Sequence, residues 1–145
     1  MFGGYYKGRR VLVTGHTGFK GAWLSLWLRH LGAEVHGVGL EPPTEPNLHE
    51  VTAPDTFASE ISCDIRDLAA LEAALTATQP EFIFHLAAQP LVRLSYEEPL
   101  ETLMTNVLGT AHVLEAVRRL KLNSPVLVVT SDKCYKNDGG DQLFA

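Results

Sequence analysis

Cysteine is scarce in this sequence: Cys63 and Cys134 are the only two. Two isolated thiols make no disulfide framework and are expected to stay reduced, as in a cytoplasmic protein. Histidine is more plentiful, at positions 16, 30, 36, 49, 85 and 112. No pair has a ligand spacing such as H-x-x-x-H, and C-x-x-C is missing, so no metal is expected. A continuous apolar run of 18 residues is also lacking, which excludes a transmembrane helix, and no membrane partner is expected. The opening MFGGYYKGRR has no apolar stretch of the kind a signal peptide carries. Positive charge is in deficit: 12 Lys and Arg against 17 Asp and Glu give a net charge of −5, the wrong sign for a general nucleic-acid binder. Internal repeats and low-complexity segments are absent.

What is present is the material of one globular domain, with 145 residues of which 46% are hydrophobic and 20% charged. It is organised around Val11 to Gly21, VLVTGHTGFKG. Three apolar residues read as a short buried strand, a glycine-rich turn follows, and Phe19 to Leu31 is helical in pattern. Strand, glycine turn and helix are the layout of a dinucleotide site. Gly15 permits the sharp exit from the strand, Gly18 lets a diphosphate approach the backbone, and Gly21 lets the helix lie close to the sheet. The anion would sit at the helix N-terminus, where N–H groups and the helix dipole favour negative charge. The spacing is G-x-x-G-x-x-G rather than G-x-G-x-x-G, so context carries the reading. Gly15, Thr17, Gly18, Phe19, Lys20 and Gly21 are the candidate cofactor contacts of this loop.

The rest of the chain continues an α/β alternation. Residues 1–10 read as a polar lead-in, with Arg9 and Arg10 a solvated pair at the end of the strand away from the ligand edge. In the first helix Phe19, Trp23, Leu26, Trp27 and Leu31 recur at helical spacing and are expected in the core, with Gly32 closing the helix. A second strand runs from Glu34 to Leu40. Glu41 then falls 20 residues beyond Gly21, where an acid accepts from the adenosine ribose and repels a 2′-phosphate, favouring NAD over NADP. Residues 42–56, rich in proline, read as a loop. A third strand at 57–62 delivers Asp64 and Ile65, one polar and one apolar group placed to flank an adenine. Asp67 caps a helix at 68–78 packed through Leu68, Leu71 and Leu75. The fourth strand, 81–86, ends in Ala87-Ala88-Gln89-Pro90, where Leu86, Ala87 and Ala88 leave room for a ligand. A long helix from Pro99 to Leu120 is expected to turn Leu103, Val107, Leu114 and Val117 inward, with Asn106 either idle or serving the site. The fifth strand, 126–131, brings Ser131, Asp132 and Lys133 to the carboxyl edge as a candidate catalytic cluster. The expected fold is a Rossmann-like, doubly wound parallel α/β sheet, incomplete at its C-terminal end, with residues 1–145 as its NAD-binding domain.

Together VTGHTGFKGAWLSLWL at 13–28, DIRDL at 64–68, FHLAAQPLVRLSYEEPLET at 84–102, TNVLGT at 105–110 and VTSDKCY at 129–135 resemble the extended short-chain dehydrogenase/reductase family, and within it the 4,6-dehydratases that act on CDP-glucose. The resemblance implies bound NAD as cofactor. A hydride leaves C4 of the sugar, water leaves across C5 and C6, and the hydride returns at C6. It further implies that Ser131 hydrogen-bonds the C4 hydroxyl and that Asp132 protonates the departing C6 hydroxyl. Lys133 stands where related enzymes carry a glutamate base. It either takes the C5 proton, if its pKa is lowered, or stabilises the developing enolate. Gln89 and Arg93, in the specific AAQPLVR segment, are the candidate substrate contacts, and Asn106 a structural relay. A homodimer through the long helix is the implied assembly.

One element of the pattern is missing. The family's Tyr-x-x-x-Lys should follow on the next helix, but the residues four after Tyr5, Tyr6, Tyr96 and Tyr135 are Arg9, Arg10, Leu100 and Gly139. The chain is therefore expected to be an inactive fragment of a longer enzyme, with apolar surface left open on the fifth strand and long helix. Two other readings stand beside the dehydratase. One is a different nucleotide-sugar enzyme such as a 4-epimerase, which needs no acid for water loss. The other is a dinucleotide-sensing protein without chemistry.

Overall fold

The computed structural model describes residues 2–42, 44–53 and 55–131. Their strands form one sheet: β1 (Arg10–Thr14), β2 (Glu34–Gly39), β3 (Ser59–Ser62), β4 (Phe82–His85) and β5 (Val126–Val128), in the order β3-β2-β1-β4-β5. Every pairing is parallel, so all carboxyl ends share one edge. The order reverses at β1, and the crevice between β1 and β4 is the topological switch point at which open α/β sheets take ligands. The helices are α1 (Phe19–His30), α2 (Leu48–Thr52), α3 (Leu68–Thr78), α4 (Val92–Glu97) and α5 (Pro99–Leu103), the last continuing through a π-helical turn (Met104–Gly109) into α6 (Thr110–Arg119).

Alternation along the strands builds two cores. Leu12, Val38 and Ile83 face α3 and α6, where they meet Leu71, Ala74, Leu75, Val113 and Ala116. Val11, Val13 and Val35 face the other way, onto Leu28 of α1, with Phe82 and Phe84 beside them. Local signals in the sequence set several boundaries. The Asp67 carboxylate accepts from the Ala70 N–H at 3.0 Å and starts α3. Gly32, at φ +88°, lets the Ala33 N–H reach back to the Leu28 carbonyl at 3.0 Å and ends α1.

Four expectations are corrected. Phe19, Trp23 and Trp27 of α1 are exposed, at 70%, 51% and 45%. The buried stripe is instead Gly21, Ala22, Ser25 and Leu28: the first turns, held close to the glycine loop, have room only for small side chains, and Leu28 fills the core further along. In the long helix Leu103, Val107 and Leu114 point outward. Gly109, Val113 and Ala116 are buried, and a Cβ on Gly109 would come within 2.6 Å of Ile65 Cδ1. The proline-rich stretch contains α2, started by Asn47, whose Oδ1 accepts from the Glu50 N–H while its Nδ2 donates to the Glu50 carboxylate. The lead-in is more than a polar run: Tyr6 meets Phe82 edge-on and Phe84 at a tilt, while the side chains of Arg9 and Arg10 stay 47% and 43% exposed and Arg9 pairs with Glu81 at 2.6 Å.

Candidate functional site

The glycine loop between β1 and α1 lies at the switch point. Gly15 has φ +72°, and a Cβ there would sit 2.7 Å from the Ala87 nitrogen, so the loop is pressed against the chain leaving β4. At Gly21 a Cβ would be 2.1 Å from the Gly15 carbonyl oxygen, which fixes the start of α1 directly on the loop. Gly18 is different. Its backbone is extended (φ −76°, ψ 162°), and the nearest atom to a Cβ would be the Gly15 oxygen at 3.4 Å. The packing within the protein therefore makes little demand for glycine at 18, whereas a ligand approaching the backbone would make one. Gly18 is also the N-cap of α1 and supplies no side-chain acceptor to the helix. A helix of 12 residues thus opens with its dipole and first N–H groups toward the crevice without a side-chain cap, a setting that favours a diphosphate. Thr17 donates its hydroxyl to the Leu40 carbonyl at 2.9 Å and ties the loop to the end of β2, while Phe19 and Lys20 are exposed on the first turn.

Glu41 is exposed just beyond β2, on the same edge. Asp64 follows β3. Its carboxylate accepts from the Arg66 backbone at 2.9 Å and from the guanidinium at 2.6 to 3.0 Å, which holds it below the usual carboxylate range. Arg66 in turn pairs with Glu101 of α5. Ile65 is only 4% exposed and packs in the core, so its side chain is structural.

At the exit of β4 a chain of polar groups, unforeseen from the sequence, holds the other wall. Thr14 Oγ1 accepts from the Leu86 and Ala87 N–H groups, both at 3.2 Å, and lies 2.7 Å from His85 Nδ1. His85 Nε2 is 3.0 Å from Thr110 Oγ1, which donates to the Asn106 carbonyl at 2.7 Å. With that hydroxyl committed, Nε2 carries the proton and Nδ1 accepts from Thr14. Burial holds His85 below the ordinary histidine pKa, consistent with this neutral form. Asn106 then clamps Gln89 from both sides, accepting from its N–H at 2.8 Å and donating to its carbonyl at 3.0 Å. The relay expected of Asn106 is thus a brace on the loop after β4. The Gln89 side chain turns to Leu91 and Thr102, and Arg93 is exposed and paired with Glu97. Leu86 and Ala87 pack on the two cores, and Ala88 is exposed at the edge. A signal for this wall was available: Thr14 and His85 are polar residues closing otherwise apolar strands.

Ser131 lies exposed beyond β5 on the ligand edge. Asp132 and Lys133 lie outside the described residues, as does Cys134; Cys63 is a buried free thiol. Among the described residues no helix is long and apolar enough to cross a membrane.

Comparison with known proteins agrees with this arrangement. The family model for GDP-mannose 4,6 dehydratase matches residues 12–139. A CDP-glucose 4,6-dehydratase of Salmonella typhimurium is 51% identical over 133 residues, covering 92% of this chain and 37% of that protein. A UDP-glucose 4-epimerase of Mycolicibacterium smegmatis is 41% identical over 113 residues, covering 75% and 34%. Among solved structures, MoeE5 in complex with UDP-glucose and NAD is 33% identical with a TM-score of 0.71, over 93% of this chain and 40% of that one. A UDP-glucose-4-epimerase from Stenotrophomonas maltophila superposes with a TM-score of 0.81 at 24% identity, covering 93% of this chain and 40% of that one, a likeness of fold. The chain therefore spans little more than a third of the curated relatives it matches. With the parallel sheet, the glycine loop at its switch point and a family match over most of its length, the chain belongs to the GDP-mannose 4,6 dehydratase family of extended short-chain dehydrogenases/reductases.

Proposed function

We propose that this chain is the dinucleotide-binding part of an NAD-dependent CDP-glucose 4,6-dehydratase, a lyase. The observation that carries the reading is the 51% identity to the Salmonella enzyme over 133 residues, 92% of this chain. The geometry of the glycine loop supports NAD: Gly18 leaves the backbone open where packing does not require it, and α1 begins there without a side-chain cap. When bound, NAD supplies the acceptor for the C4 hydride and returns that hydride at C6.

The chain's own residues hold and orient. The α1 N-terminus and the backbone at Gly18 bind the diphosphate. Glu41 accepts from the ribose hydroxyls and disfavours a 2′-phosphate. Asp64, oriented by Arg66, lies toward the adenine, and Leu86 to Ala88 form the opposite wall. Ser131 hydrogen-bonds the C4 hydroxyl of the sugar. Asp132 gives a proton to the departing C6 hydroxyl as water leaves. Lys133 either removes the C5 proton or stabilises the enolate beside it. Gln89 and Arg93 contact the nucleotide sugar. The exposed row Leu100, Leu103, Val107 and Leu108 supports a homodimer through the long helix, along α5 and the π-helical turn that follows it. The reading places the enzyme in the cytoplasm, making 4-keto-6-deoxy sugar nucleotides for surface polysaccharides such as O-antigen.

A 4-epimerase is the second reading, favoured by the 41% identity to the Mycolicibacterium enzyme. The test joins these 145 residues to the C-terminal remainder of the Salmonella dehydratase and supplies CDP-glucose with NAD⁺. Formation of the 4-keto product, read by its absorbance in alkali and lost in Asp132→Asn, is expected. A folded, NAD-binding chimera that only inverts C4 of a sugar nucleotide would replace this reading with the epimerase.

A further inference from the structure

A second set of side chains gathers on the other flank of the glycine loop. His16 follows Gly15 directly, His49 belongs to α2, and Glu60 to β3. Three distant segments thus bring two imidazoles and a carboxylate together, with one donor atom from each lying within 4.8 Å of the others. Both histidines aim Nε2 at the same atom, Glu60 Oε1; for His16 the separation is 3.0 Å. The fold makes room for this meeting. In the β2–β3 register Gly37 pairs with Glu60, and a Cβ on Gly37 would strike the His16 ring at 2.4 Å. The missing side chain is what admits the imidazole beside the carboxylate. Phe57 flanks both rings, at 5.1 Å from His16 and 5.8 Å from His49, and screens the cluster from that side.

Hydrogen bonding among the three leaves the cluster incompletely satisfied. His16 is 3% exposed, and its Nδ1 is buried without a hydrogen-bond partner of good geometry. A metal on Nε2 would put the ring proton on Nδ1, the nitrogen through which a metal-bound histidine usually donates to a second group. We propose that His16, His49 and Glu60 form a binding site for a divalent transition-metal ion, zinc above all, that ties the glycine loop to α2 and β3. Two imidazoles and one carboxylate are a borderline nitrogen and oxygen donor set suited to zinc, and three protein ligands leave a fourth position for water. The site lies apart from the wall formed by Thr14 and His85. It is independent of the substrate assigned above.

The experiment is calorimetric titration of the chelator-treated protein with Zn²⁺ alone, repeated with Co²⁺ to read ligand-field absorbance. Wild type, His49→Ala and Glu60→Gln are compared; both changed side chains lie off the core, so the folded state is retained and is checked by circular dichroism. The expected result is saturable 1:1 binding that raises Tm, weakened at least about 100-fold in each variant. Absence of saturable binding to wild type, or binding undiminished in the two variants, would overturn the site.

Discussion

Two histidines stand on either side of the glycine loop, and they are kept in opposite ways. His85, at the end of β4, is the middle of a closed chain: Thr14 donates to one nitrogen, the other donates to Thr110, and Thr110 donates onward to Asn106. His16, one residue past Gly15, meets a carboxylate oxygen that it shares with His49 and keeps one buried nitrogen without a partner. The first arrangement is a finished structural brace. The second has valence left over. Buried polar groups that close on themselves hold a wall, and those that do not are where a ligand is to be sought.

The glycines divide the same way, and substitutions there break the comparison most severely. Gly21→Ala forces a methyl group onto the Gly15 carbonyl at 2.1 Å, and unfolding in urea should show a loss of about 3 kcal/mol or a failure to fold. Thr14→Val keeps the shape of the brace but strips the Ala87 N–H of its acceptor and His85 of its donor, while the Leu86 N–H keeps the Thr14 carbonyl. About 2 kcal/mol should be lost by the same measurement.

Lowering the pH probes the histidines together. Burial holds His16, His36 and His85 below the ordinary value of 6.5. The unfolded chain therefore takes up protons before the native one does. Their contribution is complete above pH 6.5 and is lost progressively as pH falls below it. Urea midpoints in chelated buffer should fall between about pH 7.5 and about pH 5.5, and less steeply in His85→Gln. The smallest effect belongs to Gly18→Val. An extended backbone accepts valine, and stability should move by no more than about 0.5 kcal/mol in urea.

Much of this was legible locally. The sharp turn at Gly15, the close approach at Gly21, the Asp67 cap and the Gly32 stop are each written within a few residues, and the structure bears them out. The inward faces of α1 and the long helix were misread because large apolar residues at helical spacing look like a core. Contact at close range instead selects Gly21, Ala22 and Ser25 in one helix and Gly109, Val113 and Ala116 in the other. The helix α2 was hidden among prolines, although Asn47 and Glu50 form its capping pair in plain sequence. The meeting of His16, His49 and Glu60 follows from strand register and is invisible to ligand spacing along the chain. Asp132 and Lys133 lie outside the described residues, so their roles rest on resemblance.

The most direct test of the central claim, that the loop between β1 and α1 is a dinucleotide site, is calorimetric titration of the protein and of Gly18→Val with NAD⁺. The account predicts saturable 1:1 binding to the wild type and its loss in a variant whose circular dichroism and urea midpoint are unchanged. Equal binding by both proteins, or none by the folded wild type, would contradict it.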